Sequence, residues 1–93
     1  MIVGILVLEL KLYESFSLKE KRKVLKALIE RARRNFNISI AEVDHNDIHN
    51  YATIGITCVS NSRRFLDSVL DKFLEFCQSN FNIEIVNARR DFL

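Results

Sequence analysis

Apolar residues alternate with polar ones at the start of this chain, switch to helical spacing after Ser17, and later repeat that exchange. From Ile2 to Tyr13 the even positions Ile2, Leu6, Leu8, Leu10 and Leu12 form one apolar face, while Glu9 and Lys11 mark the other. That period of two predicts a strand. Ser17, with Glu20 three residues on, reads as a capping box that starts a helix. Leu18, Leu25, Leu28, Ile29, Ala32 and Phe36 then fall on one helical stripe that ends near Asn35–Asn37. A second strand is expected from Asn37 to Asp44, with Ile38 and Ile40 inward. A polar connection, His45 to Asn50, leads to a third strand from Tyr51 to Ser60, where Ala52, Ile54, Ile56 and Cys58 alternate with Thr53, Gly55 and Thr57. Asn61 or Ser62 caps a second helix reaching Ser79, with Phe65, Leu66, Val69, Leu70, Phe73, Leu74 and Cys77 inward. A last strand, Phe81 to Arg89, carries Phe81, Ile83 and Ile85 on one face.

The order β-α-β-β-α-β with right-handed crossovers predicts an α+β, ferredoxin-like split βαβ sandwich. Its antiparallel sheet should run 4-1-3-2, with both helices on one face. The other face is left open. It should show Val3, Ile5 and Val7; Ser39, Ala41 and Val43; Thr53, Gly55 and Thr57; and Glu84, Val86 and Ala88.

Ninety-three residues, 48% of them hydrophobic and seven of them Phe, are read as one small domain (residues 1–93) with an adequate core. No apolar run approaches the ~20 residues that span a bilayer. The Ile2–Leu8 run lacks a basic leader and a cleavage site, so it reads as a strand, and the protein is expected in the cytoplasm with no membrane partner. Cys58 and Cys77 each sit inside an apolar pattern and read as buried small hydrophobes. No cofactor or metal is expected, and no repeat, linker or low-complexity segment is apparent.

Charge alters this picture. Nine of the fourteen Lys and Arg lie between Lys11 and Arg34, a window of net +6, against net −4 for the remainder. The fold should gather Arg31, Arg33 and Arg34, Arg63 and Arg64, and Arg89 and Arg90 at one pole. Arg63 and Arg64 open a helix, where the dipole disfavours cations and free amides suit phosphate. The outer face of the first helix adds Lys19, Lys23 and Lys26. Together these residues outline a nucleic-acid footprint; the rival reading is a solvated surface neutralised by Asp67, Asp71 and Asp91.

At the opposite pole, Lys21 and Arg22 should reach the loop that carries Asp44, His45, Asp47 and His49. Asp44 bridging to either cation would fix that loop; the alternative is a small-ligand or metal site there. The open face has no aromatic platform for base stacking. Its aliphatic centre, with Val3, Ile5, Val7 and Val86, suits a homodimer or a protein adaptor.

Two blocks carry a family resemblance. Ser17-Leu18-Lys19-Glu20-Lys21-Arg22 follows an apolar strand, and Ala41-Glu42-Val43-Asp44-His45-Asn46-Asp47 precedes the Ala52–Gly55 strand and Val59-Ser60-Asn61. Together they resemble the bacterial YlxP family, also known as domain of unknown function 503. The resemblance covers essentially the whole chain and implies a ferredoxin-like fold but no established activity. It places the family's motif positions at Ser17, Leu18, Lys19, Lys21, Arg22, Glu42, Asp44, His45 and Asp47. Members are often encoded among translation and ribosome-maturation genes, which implies ribosomal RNA or a ribosomal particle as partner. The expectation is therefore a non-enzymatic accessory protein that contacts phosphates. The alternatives are the adaptor or homodimer and the Asp44/His45 ligand site.

Overall fold

The computed structural model describes all residues from Met1 to Leu93. Its elements are β1 (Ile2–Leu12), α1 (Leu18–Asn35), β2 (Ser39–Asp44), β3 (Tyr51–Ser60), α2 (Arg63–Asn80) and β4 (Ile83–Phe92). The strands pair antiparallel in the order β2-β3-β1-β4, the expected 4-1-3-2 read from its other edge. The fold is α+β and ferredoxin-like.

The core follows from the alternation in β1 and β3. Leu6, Leu8, Leu10 and Leu12 from β1, with Ala52, Ile54, Ile56 and Cys58 from β3, lie buried beneath the helices. The helices answer with Leu25, Leu28 and Ala32 from α1 and Leu66, Leu70, Phe73 and Cys77 from α2. Each large aliphatic side chain buried this way contributes about 1.5–3 kcal/mol.

Both helices start and stop by the same devices. Ser17 Oγ accepts from Glu20 N at 3.1 Å, and Ser62 Oγ accepts from Phe65 N at 3.2 Å. The reciprocal half of the expected capping box differs, because Glu20 Oε1 takes the Ser17 hydroxyl (3.3 Å) and not its amide. At the far ends, Asn35 and Asn80 each donate a side-chain amide to the carbonyl four residues back, both at 2.8 Å. Phe36 and Phe81 then turn extended and join Phe73 and Phe76 in an edge-packed aromatic cluster.

This exposes a repeat that the linear reading passed over. Asn35-Phe36-Asn37-Ile38-Ser39-Ile40 and Asn80-Phe81-Asn82-Ile83-Glu84-Ile85 occupy equivalent helix-to-strand turns. The buried positions match as well: Lys21, Leu25, Leu28 and Ala32 in α1 correspond to Leu66, Leu70, Phe73 and Cys77 in α2. That correspondence explains one misplaced residue. Phe65, expected inward, is 59% exposed because it holds the first-turn position that Glu20 holds in α1. Leu66 takes the sheet-facing place.

The strand ends also differ from expectation. β2 begins at Ser39, and β4 runs on to Phe92. Both edge strands carry a register shift, β2 between Glu42 and Asp44 and β4 beside its pairing with Glu9 and Leu10. An extra residue in one strand reverses the facing of everything beyond it. Ala88, expected on the open face, therefore pairs beside the inward Leu8, while Asn87, Arg89 and Asp91 pair beside Glu9, Val7 and Ile5 on the open side.

Candidate functional site

Lys21 is the least expected residue in the interior. It lies on the buried stripe of α1 and is only 1% exposed. An ammonium withdrawn from water costs several kcal/mol unless it is paired. Lys21 Nζ donates to the His45 carbonyl at 2.7 Å and lies 2.7 Å from Glu42 Oε2. The second contact is close in distance but poorly aligned, so Glu42 Oε2 accepts no hydrogen bond and is held by charge. Lys21 thus reaches the loop as expected, but its acidic partner is Glu42. Asp44 instead accepts the amide of His45 at 2.7 Å, and Arg22 stays exposed.

This anchor fixes an uncommon backbone. His45 has φ 61, the left-handed region, which costs a non-glycine residue about 1–2 kcal/mol. Its carbonyl is held by Lys21 and by Ile48 N at 3.1 Å. Its ring is fixed too. Nδ1 lies 2.7 Å from Thr53 Oγ1, and the imidazole meets Tyr51 edge-on at 5.0 Å. Nearby, Ser15 is buried and ties the β1–α1 turn to the same loop by donating to the His49 carbonyl at 2.6 Å. Asp47 and His49 remain exposed.

Around His45 the two register shifts build a polar cleft on the open face. Asp44 pairs with Thr53, Thr53 with Glu9, and Glu9 with Asn87, so one row crosses all four strands. With Val7, His45 and Arg89 they line a cleft of about 210 Å³. Burial, and then the neighbouring Glu9 carboxylate, push the Tyr51 phenol up from its ordinary range. No three of its His, Asp or Glu side chains converge closely enough to hold a metal ion. Chemically the cleft offers carboxylates, an imidazole, a hydroxyl, an amide and a guanidinium. Sequence reasoning missed Glu9, Thr53, Asn87 and Arg89 here. The one available signal was the change of apolar phase in β4 from Ile83 and Ile85 to Phe92.

Most of the arginines expected at one pole take partners of their own. Arg31 turns to Asn80 Oδ1 at 2.9 Å and lies over the Phe81 ring at 5.0 Å. Arg33 donates to the Ile40 carbonyl at 3.2 Å, and Arg34 to the Glu30 carbonyl at 3.5 Å. Arg63 stacks on Phe92 at 4.4 Å, and Arg64 is exposed. Arg90 pairs with Asp67 at 3.0 Å and with Asp71; burial pulls its guanidinium down, but those two carboxylates outweigh it and raise it. Lys19, Arg22, Lys23 and Lys26 are exposed along α1, and none has an acidic side chain within salt-bridge distance.

Of the residues expected on an oligomer face, Val3, Ile5 and Val7 are half-buried and Val86 is 47% exposed. Val43 packs over Gly55, where an added Cβ would come within 3.0 Å of its Cγ1.

Comparison with known proteins supplies the family. The family model described as "Protein of unknown function (DUF503)" matches residues 3–90. The chain is 36% identical over 90 residues to the protein "Uncharacterized protein YlxP" of Bacillus subtilis (strain 168), covering 97% of this chain and 98% of that one. With both matches spanning nearly its whole length, the chain belongs to the DUF503 family.

Proposed function

We propose that this is a non-enzymatic, cytoplasmic accessory protein that binds structured RNA, free or in a ribosomal particle, through phosphate contacts. The observation that carries this reading is the solvent face of α1. Lys19, Arg22, Lys23, Lys26 and Arg34 are exposed there without ion-pair partners. At 1.5 Å per residue, the 18 residues of α1 span about 27 Å, long enough to follow a stretch of phosphate backbone. Arg64, also exposed, extends the footprint at the start of α2. Such contacts position a nucleic acid without reading its sequence, so binding is salt-sensitive and sequence-tolerant.

Co-sedimentation with ribosomal subunits and with free ribosomal RNA, across about 50–300 mM salt, tests this. A Lys19→Glu/Lys23→Glu/Lys26→Glu variant should bind weakly and with a flatter salt dependence. Wild-type binding absent at every salt, or a variant that binds like wild type, overturns the reading.

A second reading is self-association or adaptor binding through the open sheet face. Val43, Val59 and Val86, 56%, 58% and 47% exposed, flank the half-buried Val3, Ile5 and Val7. Ile5→Glu should break such an assembly in light scattering while leaving salt-dependent RNA binding intact.

A further inference from the structure

The polar cleft on the open sheet face lies on the opposite side of the sheet from the helices, so it is independent of the RNA reading. Two features mark it as built. Register shifts in both edge strands turn Asp44, Asn87 and Arg89 toward it, positions that unbroken alternation would send to the other face. His45 is held there in a strained conformation by a buried lysine. Strain that the surroundings over-determine is typical of binding sites.

The lining also carries charge of both signs that no ion pair neutralises. Neither Glu9 nor Arg89 has an ion-pair partner, although both line the same cleft. Asp44 has only the His45 amide. A ligand of one sign would leave the other sign facing it unanswered as water is displaced. The cleft, at about 210 Å³, is smaller than the ~300–1,000 Å³ of drug-sized sites. It shares Val7 and Arg89 with a second cleft of about 360 Å³ whose apolar lining is Ile5 and Val7.

We propose that this cleft binds a free aliphatic amino acid. Arg89 takes its carboxylate, Glu9 and Asp44 take its ammonium, and its side chain lies along Val7 and Ile5. A guanidinium suits a carboxylate because its N–H groups match both oxygens.

Thermal melting and proton NMR of the His45 imidazole, with leucine, valine, alanine, leucinamide, N-acetyl-leucine and inorganic phosphate as separate probes, test this. Leucine or valine should raise the melting temperature and shift the His45 resonances, whereas leucinamide and N-acetyl-leucine should do neither. Arg89→Gln and Glu9→Gln should each weaken binding by roughly tenfold or more, the scale of one lost charge-assisted hydrogen bond. Both variants should melt like wild type without ligand, which separates a lost site from a lost fold. No response to leucine, valine or alanine at about 10 mM, a concentration that would detect even millimolar affinity, overturns the proposal. So does equal binding of the blocked derivatives, or a response to phosphate alone. RNA binding unchanged in these variants would leave the α1 reading standing whatever the cleft does.

Discussion

The two helices are built to one plan and differ in one buried side chain. Both are 18 residues long, both are capped by serine, and both end in Asn-Phe-Asn-Ile. At the fourth position after the cap, α2 buries Leu66 and α1 buries Lys21, each 1% exposed. The outer faces differ too: α1 carries net +6 over its length and α2 is neutral. The plan therefore does not require a cation inside. A leucine fills the equivalent place, so Lys21 answers to Glu42 and the His45 loop and not to the fold. Two residues away on either side, Lys19 and Lys23 have the same chemistry and face water. Within one charge run, one lysine holds a loop and its neighbours are free for a partner.

The strongest way to break the comparison is to exchange the two buried residues. Leu66→Lys buries an ammonium with no carboxylate to meet it and should cost more than about 4 kcal/mol. That is enough to unfold much of a domain worth about 5–14 kcal/mol, as urea denaturation would show. Lys21→Met strands Glu42 and should cost about 2–3 kcal/mol, less than the ~3–5 kcal/mol of a fully buried pair, since Glu42 is 19% exposed. Adding Glu42→Leu should recover most of that loss, because an apolar pair would then fill the place as Leu66 does. A double variant no more stable than Lys21→Met alone would show that Lys21 matters through the His45 carbonyl and not through Glu42.

The arginines of β4 sharpen the contrast. Arg90→Gln loses two aspartate partners and should destabilise by about 1 kcal/mol, whereas Arg89→Gln should change stability by under ~0.5 kcal/mol. Burial also sets the thiols. Burial pushes Cys77 up to about 12 from an ordinary 9.0, so the native thiol stays protonated. Its contribution is complete below about pH 9 and is lost as pH rises toward 12, because only the unfolded thiol ionises in that window. Ellman's reagent at pH 8, on the acid side of that window, should react with Cys77 only after unfolding. Site for site, the outer lysines should matter to stability as little as Arg89. Replacing Lys19, Lys23 and Lys26 by Glu should leave melting nearly unchanged, at under ~0.5 kcal/mol per site, while weakening RNA binding strongly.

Much of the fold was legible in the residue pattern. Even-numbered leucines in β1, alternating residues in β3 and serine caps are local instructions, so element order and strand order followed from them. The site was less legible, for two reasons. A strand's facing is inferred by counting, and one extra residue near Val43 or Val86 reverses the count beyond it. Asp44, Asn87 and Arg89 therefore changed sides unseen. The partner of a buried charge is chosen by distance in space: Asp44 is the acid expected to meet Lys21 or Arg22, yet Lys21 meets Glu42. Two arginines turn away from the expected pole, Arg31 to Asn80 at the end of α2 and Arg89 to the cleft beside His45. Topology placed the α-carbons, and the long side chains then chose their own partners, Arg63 the Phe92 ring and Arg90 the carboxylates of Asp67 and Asp71.

Local hydrogen-bonding and hydrophobic periodicity act over a few residues, so the order of residues was enough to set the six elements, the buried stripes and the sign of α1's outer face. Register shifts, the His45 conformation, the Lys21–Glu42 pair and the cleft each join residues from separate strands and helices. Those depend on how the packed sheet and helices bring distant atoms within a few ångströms, where desolvation and charge pairing choose among neighbours.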